Sequence, residues 1–367
     1  MIEALYVAGD VIGAPGGAGQ VTAHELGVLQ DIYGADHVQV FQIGDVRPGP
    51  YAQLDIPFIH DYFALAKIAA LVEKQGPPKH CHVYSGCYTE LTRYLVNCGC
   101  KVSHTSPAHD RNLSLEERGP AYYLPHIDIP ELWEQHCEGL RLADLVIVPG
   151  EAPRKFLESE GVKPERMVVI PHGIESIPDQ VAPFPEEFTV GYLGGVGPDK
   201  GISYLIDAWA TLGWEDARLI IAGGGGQQWV PYIQARAGKG KFCLPGYVPD
   251  VADFYNAITV YVQPSVTEGF GIEIIEAMSY GRPVIASTGA GAADAVETST
   301  PWSPGSGWLV PPADSEALAA DIRWARGTGP FDLMLMGANG RIRAEKYLWE
   351  RIRHKYVNVF RELLRGH

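Results

Sequence analysis

Glu268 and Glu276 bracket the segment Glu268-Gly269-Phe270-Gly271-Ile272-Glu273-Ile274-Ile275-Glu276, where a strand-like run, Ile258-Thr259-Val260-Tyr261-Val262-Gln263, gives way to a helix-like one. A carboxylate accepts hydrogen bonds from paired hydroxyl groups, and Gly269 and Gly271 let backbone come close to a ligand. The first helical turn adds N–H groups without intrahelical partners and a partial positive charge, which together seat a phosphate. Glu276, a turn further in, is placed to accept hydrogen bonds from a ribose diol, and Glu268 on the loop faces whatever hangs from the distal phosphate. The apolar Ile272, Ile274 and Ile275 fix the helix against a sheet, which favours a site over two solvated acids. That helix is expected from about Ile272 to Tyr280, with Gly281 as its terminator and Pro283 forbidding continuation.

Other segments carry weaker signals of the same kind. The run Gly191-Tyr192-Leu193-Gly194-Gly195-Val196-Gly197-Pro198-Asp199-Lys200-Gly201 precedes a helix expected over Ile202 to Leu212. It fails as a dinucleotide loop, because Pro198 and Lys200 occupy a turn that should be small and neutral. A lysine at the mouth of a helix is either a solvated side chain or a point charge for an anion such as a diphosphate. Near the start, Gly13-Ala14-Pro15-Gly16-Gly17-Ala18-Gly19-Gln20 leads into a helix expected at His24, either as a phosphate cradle or as a plain turn. The four glycines Gly223 to Gly226 form another permissive loop, open to a nucleotide or to a hinge. His104, at the end of a strand-like run, is either a satisfied structural histidine or a ligand contact.

Strand-like and helix-like runs alternate along both halves, the rhythm of a parallel sheet with crossovers. The first series of strands is Ala4 to Val7, Val38 to Ile43, Cys81 to Tyr84, Lys101 to His104 and Leu145 to Val148, with helices over His24 to Ile32, Tyr62 to Lys74, Tyr88 to Val96 and Glu131 to Ala143. A stretch bearing Pro171, Gly173, Pro178, Pro183 and Pro185 breaks the pattern and reads as an interdomain hinge. The second series is Phe188 to Leu193, Leu219 to Ala222, Lys241 to Leu244, Ile258 to Gln263 and Val284 to Ser287. A final amphipathic helix runs from about Tyr347 to Leu364, with Trp349, Ile352, Tyr356, Val359, Phe360 and Leu363 on one stripe. The expected division is residues 1–178, 179–345 and a terminal helix at 346–367, in an α/β fold of two Rossmann-like domains with mostly parallel sheets.

A chain of 367 residues with 46% hydrophobic and 20% charged residues is long enough for two cores and composed like a soluble globular protein. The formal net charge of −15, without a basic stripe, argues against a nucleic-acid partner and against electrostatic adhesion to anionic lipid. The first residues, Met1 to Ala8, are too short and acidic a run for a signal peptide. Six cysteines are thinly spread, and Cys98-Gly99-Cys100 has no second pair at zinc-site spacing, so free thiols and a cytoplasmic compartment are expected.

The stretch EGFGIEIIEAMSYGRPVIAS resembles the retaining glycosyltransferases of family 4, whose hallmark is a glutamate, seven residues and a second glutamate. The resemblance is strong from about Tyr192 to Val310 and moderate before the hinge. It implies a GT-B fold with the active site in the cleft between two domains, and retaining transfer of a sugar from a nucleotide-diphosphate donor. The acceptor it implies is a hydroxyl on a saccharide, a lipid or a small molecule. Neither a metal nor a cofactor is expected. By position, Glu268, His104 and Lys200 are implied as catalytic, with His109 as the alternative histidine. Glu276, Gly16, Gly17, Gly195, Phe270, Gly271 and Ile272 are implied to hold the nucleotide and its diphosphate. The family pairs an arginine with the lysine of the diphosphate loop, and Gly195 stands where that arginine is expected, leaving Arg282, Lys155 or a backbone amide to compensate. A GT-B epimerase, a phosphorylase and a weakly active sugar-nucleotide binding protein are the alternatives.

Overall fold

The computed structural model describes residues 2–8, 17–42, 57–84, 88–106, 130–196, 199–224, 230–236, 241–300 and 303–365. The described residues up to Gly173, together with those from Trp349 onward, form one compact unit, and Ile174–Leu348 forms another. In chain order the first unit runs β1 (Ala4–Ala8), α1 (Gly17–Tyr33), β2 (Val38–Gln42), α2 (Pro57–Gln75), β3 (His80–Tyr84), α3 (Thr89–Asn97), β4 (Lys101–Thr105), α4 (Pro130–Leu142), β5 (Leu145–Val148), α5 (Glu151–Ser159) and β6 (Met167–Val169). Its strands pair in parallel in the order β2-β1-β3-β4-β5-β6. Because side chains alternate along a strand, one face of the sheet presents Leu5, Val7, Cys81, Val83 and Val102. These pack on Ala64 and Ile68 of α2 and on Leu91 and Leu95 of α3.

The second unit runs β7 (Thr189–Leu193), α6 (Ile202–Leu212), β8 (Arg218–Ala222), α7 (Val230–Arg236), β9 (Lys241–Gly246), α8 (Val251–Asn256), β10 (Val260–Gln263), α9 (Ile272–Ser279), β11 (Val284–Ser287), β12 (Gly307–Val310), α10 (Ser315–Gly327) and α11 (Pro330–Ala344). Its parallel sheet has the order β12-β11-β10-β7-β8-β9. From β7 the chain first builds outward through β8 and β9, then returns to β10 on the other side of β7 and continues to β12. The loops leaving β7 and β10 therefore emerge side by side at the carboxyl edge, the place where α/β sheets take ligands.

Both sheets hold one more strand than the sequence pattern predicts. β6 is only three residues long and is stopped by Pro171, and β12 opens on Gly307, a poor strand former. The short helices α5, α7 and α8 lie in stretches the sequence reading left unassigned. The first helix begins at Gly17 and not at His24, so Gly17 is part of a helix and not of a loop. Its buried Val21, Glu25, Val28 and Leu29 show the helical spacing that the glycines mask in the sequence. Gly16, His109, Cys87 and Pro198 lie outside the described residues. The five described cysteines are free thiols, and no described helix is long and apolar enough to cross a membrane.

The last helix, α12 (Trp349–Arg365), belongs to the first unit and lies against α1. Trp349 stacks on His24 at 4.2 Å, and Arg353 donates to Asp31 at 3.1 and 2.5 Å. The second face of the sheet, on this side, is polar. The fully buried Glu25 accepts hydrogen bonds from Tyr6 at 3.0 Å, from Thr105 at 2.6 Å and from His82 at 3.1 Å. Ser103 links His82 to His80 at 2.7 Å on each side, and the ring of Phe360 meets both histidines edge-on at 5.0 Å. Such a network holds a unique arrangement only while each member keeps its partner.

His80 is the weak member: its Nδ1 has no partner among the described residues, and burial, then the neighbouring His82, push its pKa down to about 3. The unfolded chain takes up the same proton near an ordinary value of about 6.5. The stability that a neutral His80 contributes is therefore complete above that value and is lost as pH falls toward 3, at up to about 1.4 kcal/mol per pH unit. Urea denaturation of wild type and His80→Asn should show the gap between them narrowing by about 2 kcal/mol from pH 7 to pH 5. An unchanged gap would exclude His80 from the acid response.

Candidate functional site

Three loops meet at the carboxyl edge of the second sheet. The loop after β7 carries Asp199 and Lys200, the loop after β10 carries Ser265 and Glu268, and the loop after β11 carries Gly289 and Ala290. Backbone bonds sew them together: Val266 and Thr267 donate to the Asp199 carbonyl at 2.9 and 3.3 Å, Glu268 donates to Gly289 at 3.0 Å, and Gly291 donates to Glu268 at 3.2 Å. The approach is close enough to dictate glycine at 201, where a Cβ would lie 2.0 Å from the Pro264 carbonyl oxygen and φ is +66°. Gly271 caps α9 at φ +83°, a left-handed conformation that few residues other than glycine adopt.

Within this frame Lys200 Nζ donates to Glu268 Oε2 at 2.5 Å, with Asp199 at 3.4 Å, and the two principal partners are only 21% and 12% exposed. Burial works to lower the Lys200 pKa, but the carboxylates of Glu268 and Asp199 outweigh it and hold the ammonium protonated beyond the usual lysine range. Behind Glu268 runs a buried chain in which Ser265 Oγ donates to Glu268 at 3.4 Å and Gln263 Nε2 donates to Ser265 at 2.8 Å. Gln263 in turn bonds the hydroxyl of Tyr261. A charged hydrogen bond of this kind contributes about 1.5 to 3 kcal/mol, and it fixes the Glu268 carboxylate at the edge of the sheet.

Along α9, Glu273 and Glu276 stand three residues apart and so share a face. Glu276 Oε2 accepts from the Tyr255 hydroxyl at 2.8 Å. Burial raises the Glu276 pKa and this hydrogen bond opposes the rise. Glu273 has its pKa pushed up to about 8, first by burial and then by the carboxylates of Glu268 and Glu276, with Lys200 acting the other way. At neutral pH the edge therefore holds an internally compensated Lys200–Glu268 pair and a protonated Glu273. It can offer an anion the first-turn amides of α9 and a shared ammonium, and it can offer a diol the carboxyl group of Glu276.

The structure brings Lys200, Glu268, Gly271, Ile272 and Glu276 to this edge, with Gly195 on the same loop as Lys200. The side chains of Phe270 and Ile272 pack into the same core cluster as Ile174, Ile274 and Tyr347, the packing expected of Ile272, and their backbone lies at the edge. Gly195 is exposed, its carbonyl accepts the Tyr192 hydroxyl at 2.6 Å, and among the described residues a Cβ there would meet no atom within 4 Å. Arg282, weighed as its substitute, is fully buried, donates to the Ala182 carbonyl at 2.9 Å and lies over the Phe184 ring, away from the carboxyl edge. His104 and Gly17 belong to the first unit. His104 is 2% exposed, shares a 2.9 Å hydrogen bond with Thr92, and is held neutral with a pKa near 3 by burial, then by His136 and His82. Glu273, Ser265 and Tyr255 escaped the sequence reading. The first had a detectable signal in its spacing from Glu276, whereas Tyr255 arrives through sheet topology alone. Among the described residues no group of three or more His, Cys, Asp or Glu side chains is placed to share a metal ion.

The model of the family described as glycosyl transferases group 1 matches residues 187–325. Of characterised proteins, the O-antigen chain mannosyltransferase B of Escherichia coli is 30% identical over 193 residues, covering 47% of this chain and 45% of that protein. The chain thus spans about half the length of the curated relatives it matches. Among solved structures, a sucrose-phosphate synthase from Thermosynechococcus elongatus superposes with a TM-score of 0.76 at 22% identity, covering 100% of both chains. The Anabaena protein Alr3699/HepE, in complex with UDP and glucose, does so with a TM-score of 0.67 at 20% identity, covering 98% of this chain and 100% of the other. The chain has the GT-B fold of these glycosyltransferase structures, with a Rossmann-like parallel sheet in each unit.

Glu273 makes the edge sensitive to alkali. Because its folded pKa lies above the unfolded value of 4.5, its contribution to stability is complete below that value and is lost as pH rises through about 8. The stability of wild type relative to Glu273→Gln should fall by about 2 to 3 kcal/mol between pH 5 and pH 7 in urea denaturation. Parallel pH profiles for the two proteins would remove Glu273 from the buried acid cluster.

Proposed function

We propose that this protein is a retaining glycosyltransferase, of the family-4 kind, that moves a sugar from a nucleotide-diphosphate sugar to a hydroxyl acceptor. The observation that carries the reading is the meeting of Lys200, Glu268 and Glu276 around the first turn of α9, at the point where strand order reverses. The family match over 187–325 includes all three residues and supports it. The mannosyltransferase relative and the neighbour solved with UDP and glucose support a sugar-nucleotide donor.

In this reading the diphosphate sits on the α9 amides and shares Lys200 with Glu268, while Glu276 holds the ribose. Departure of the diphosphate builds negative charge, and a donor fixed in advance near that charge lowers the barrier without reorganising. Glu268, steadied by Lys200 and Ser265, holds the sugar hydroxyls. Of the residues in the first unit, Gly17 opens the first turn of α1 and His104 is held as a neutral imidazole. Retention follows from attack on the face the phosphate leaves, with the departing phosphate guiding the acceptor. No resident cofactor is needed for this chemistry, and the setting is cytoplasmic.

A thermal-shift panel of nucleoside diphosphates and their sugars tests the donor, since a ligand at a hundred times its dissociation constant adds about 2.7 kcal/mol of stability. Glu276→Ala should then weaken the winning nucleotide by about tenfold or more, and unchanged affinity would remove Glu276 from the ribose. Analysis of the product formed from the winning donor separates transfer with retained anomeric configuration from epimerisation, which returns a nucleotide sugar, and from phosphorolysis, which requires phosphate.

Gly195 gives an independent check. Its open surroundings allow a side chain, so Gly195→Arg should fold as wild type and bind the nucleoside diphosphate about tenfold more tightly through a charge-assisted hydrogen bond. A folded variant with unaltered affinity would place the diphosphate elsewhere.

A further inference from the structure

Tyr255 is fully buried on α8, a short helix that belongs to no motif in the sequence. Its ring is held from three sides, stacked on Tyr280 at 5.0 Å and 25°, and edge-on to Phe254 at 5.2 Å and to Tyr261 at 6.0 Å. A ring gripped in this way carries its hydroxyl to one place. There the hydroxyl reaches Glu276 Oε2 at 2.8 Å and the backbone carbonyl of Glu273 at 3.3 Å. Neighbouring tyrosines do not compete for the carboxylate, because the Tyr192 hydroxyl is occupied by Gly195 and that of Tyr261 by Leu193 and Gln263.

We propose that Tyr255 is the positioning residue of the ribose subsite, its hydroxyl fixing one oxygen of Glu276 so that the carboxylate is already turned to accept a nucleotide's diol. The inference rests on the assignment of Glu276 to the ribose made above. Rotation of Glu276 away from Tyr255 leaves the buried hydroxyl only its longer contact with the neutral Glu273 carbonyl, and that loss favours the rotamer that keeps the charged acceptor. Glu276 itself is only partly buried, which leaves it an open side. Burial, followed by the charge of Glu276, holds the Tyr255 phenol far above its ordinary pKa, so it remains a donor throughout the physiological range. Pre-orientation of this kind makes the diol contact more favourable without adding any contact of its own to the nucleotide.

The test measures selectivity, which general loosening of the fold does not reverse. Calorimetric titration with UDP, GDP and ADP identifies the nucleotide that binds, and the same titration is run with its 2′,3′-dideoxy form. Wild type should prefer the ribose form by about tenfold or more, the worth of hydrogen bonds to a charged group. Tyr255→Phe keeps the ring and its stacking, and should shrink that preference to within about threefold while leaving affinity for the dideoxy form unchanged. The double variant Tyr255→Phe/Glu276→Gln should lose no more preference than Glu276→Gln alone, since the two residues act as one unit. Full ribose preference in Tyr255→Phe, or additive losses in the double variant, overturns the positioning role alone. A wild type that does not distinguish the two sugars removes Glu276 from the ribose and takes this inference with it.

Discussion

A single ion pair, Lys200 to Glu268 at 2.5 Å, joins the two loops that the reversal of strand order throws together. Much of the carboxyl edge depends on it. The loops are already sewn by the Asp199 carbonyl and pressed together at Gly201, so the charges meet in a setting that backbone has fixed and that is largely screened from water. A buried carboxylate without a partner would be costly, and a buried ammonium equally so. The pair offsets part of both costs, and an anionic ligand arriving there must share the cation with Glu268 and Asp199. That sharing is chemically useful, because a proton-bearing Glu273 adds no charge at neutral pH and the α9 amides need no counterion.

The architecture was legible from sequence where periodicity is strong. Runs such as Val260 to Gln263 and Val284 to Ser287 are apolar on both faces, as strands covered by helices on each side must be. The Glu268 to Glu276 segment was legible because its glycines and its isoleucines serve different purposes, backbone conformation and packing, at positions that can be counted. What stayed hidden depends on long-range contact. β6 and β12 are too short to show a period, and the start of α1 is disguised by glycines that weaken a helix without preventing one. Ile272 packs into the core with Ile274 and Ile275, as its apolar spacing predicts, and Phe270 joins the same cluster.

The two units solve burial differently. In the second, the two core clusters are aliphatic and aromatic, and the buried polar side chains lie at the ends of strands and helices, with Arg282 the largest of them. In the first, the face of the sheet beside α1 and α12 carries Tyr6, His80, His82, Ser103 and Thr105 against Glu25 of α1, so that region is held by directed hydrogen bonds as well as by area. Directed bonds specify a single packing of α12 more sharply than apolar contact does, at the cost that one broken link strands the others. The outer anchors, Trp349 on His24 and Arg353 on Asp31, fix the helix register that lets Phe360 cover both histidines.

Three buried tyrosines beneath the carboxyl edge of the second sheet hold the end of β7 and the carboxylates beside it, with a glycine at 195. Tyr192 bonds the Gly195 carbonyl, Tyr261 bonds the Leu193 carbonyl at 3.1 Å, and Tyr255 bonds Glu276. The first two act on the backbone of the loop and not on any side chain it carries. That backbone is thus held from below, and among the described residues no atom lies within 4 Å of a Cβ at 195. The carboxylates are held the same way, Glu276 by a tyrosine and Glu268 by the Gln263–Ser265 chain, so each ligand-facing group rests on a buried polar partner that does not itself meet the ligand.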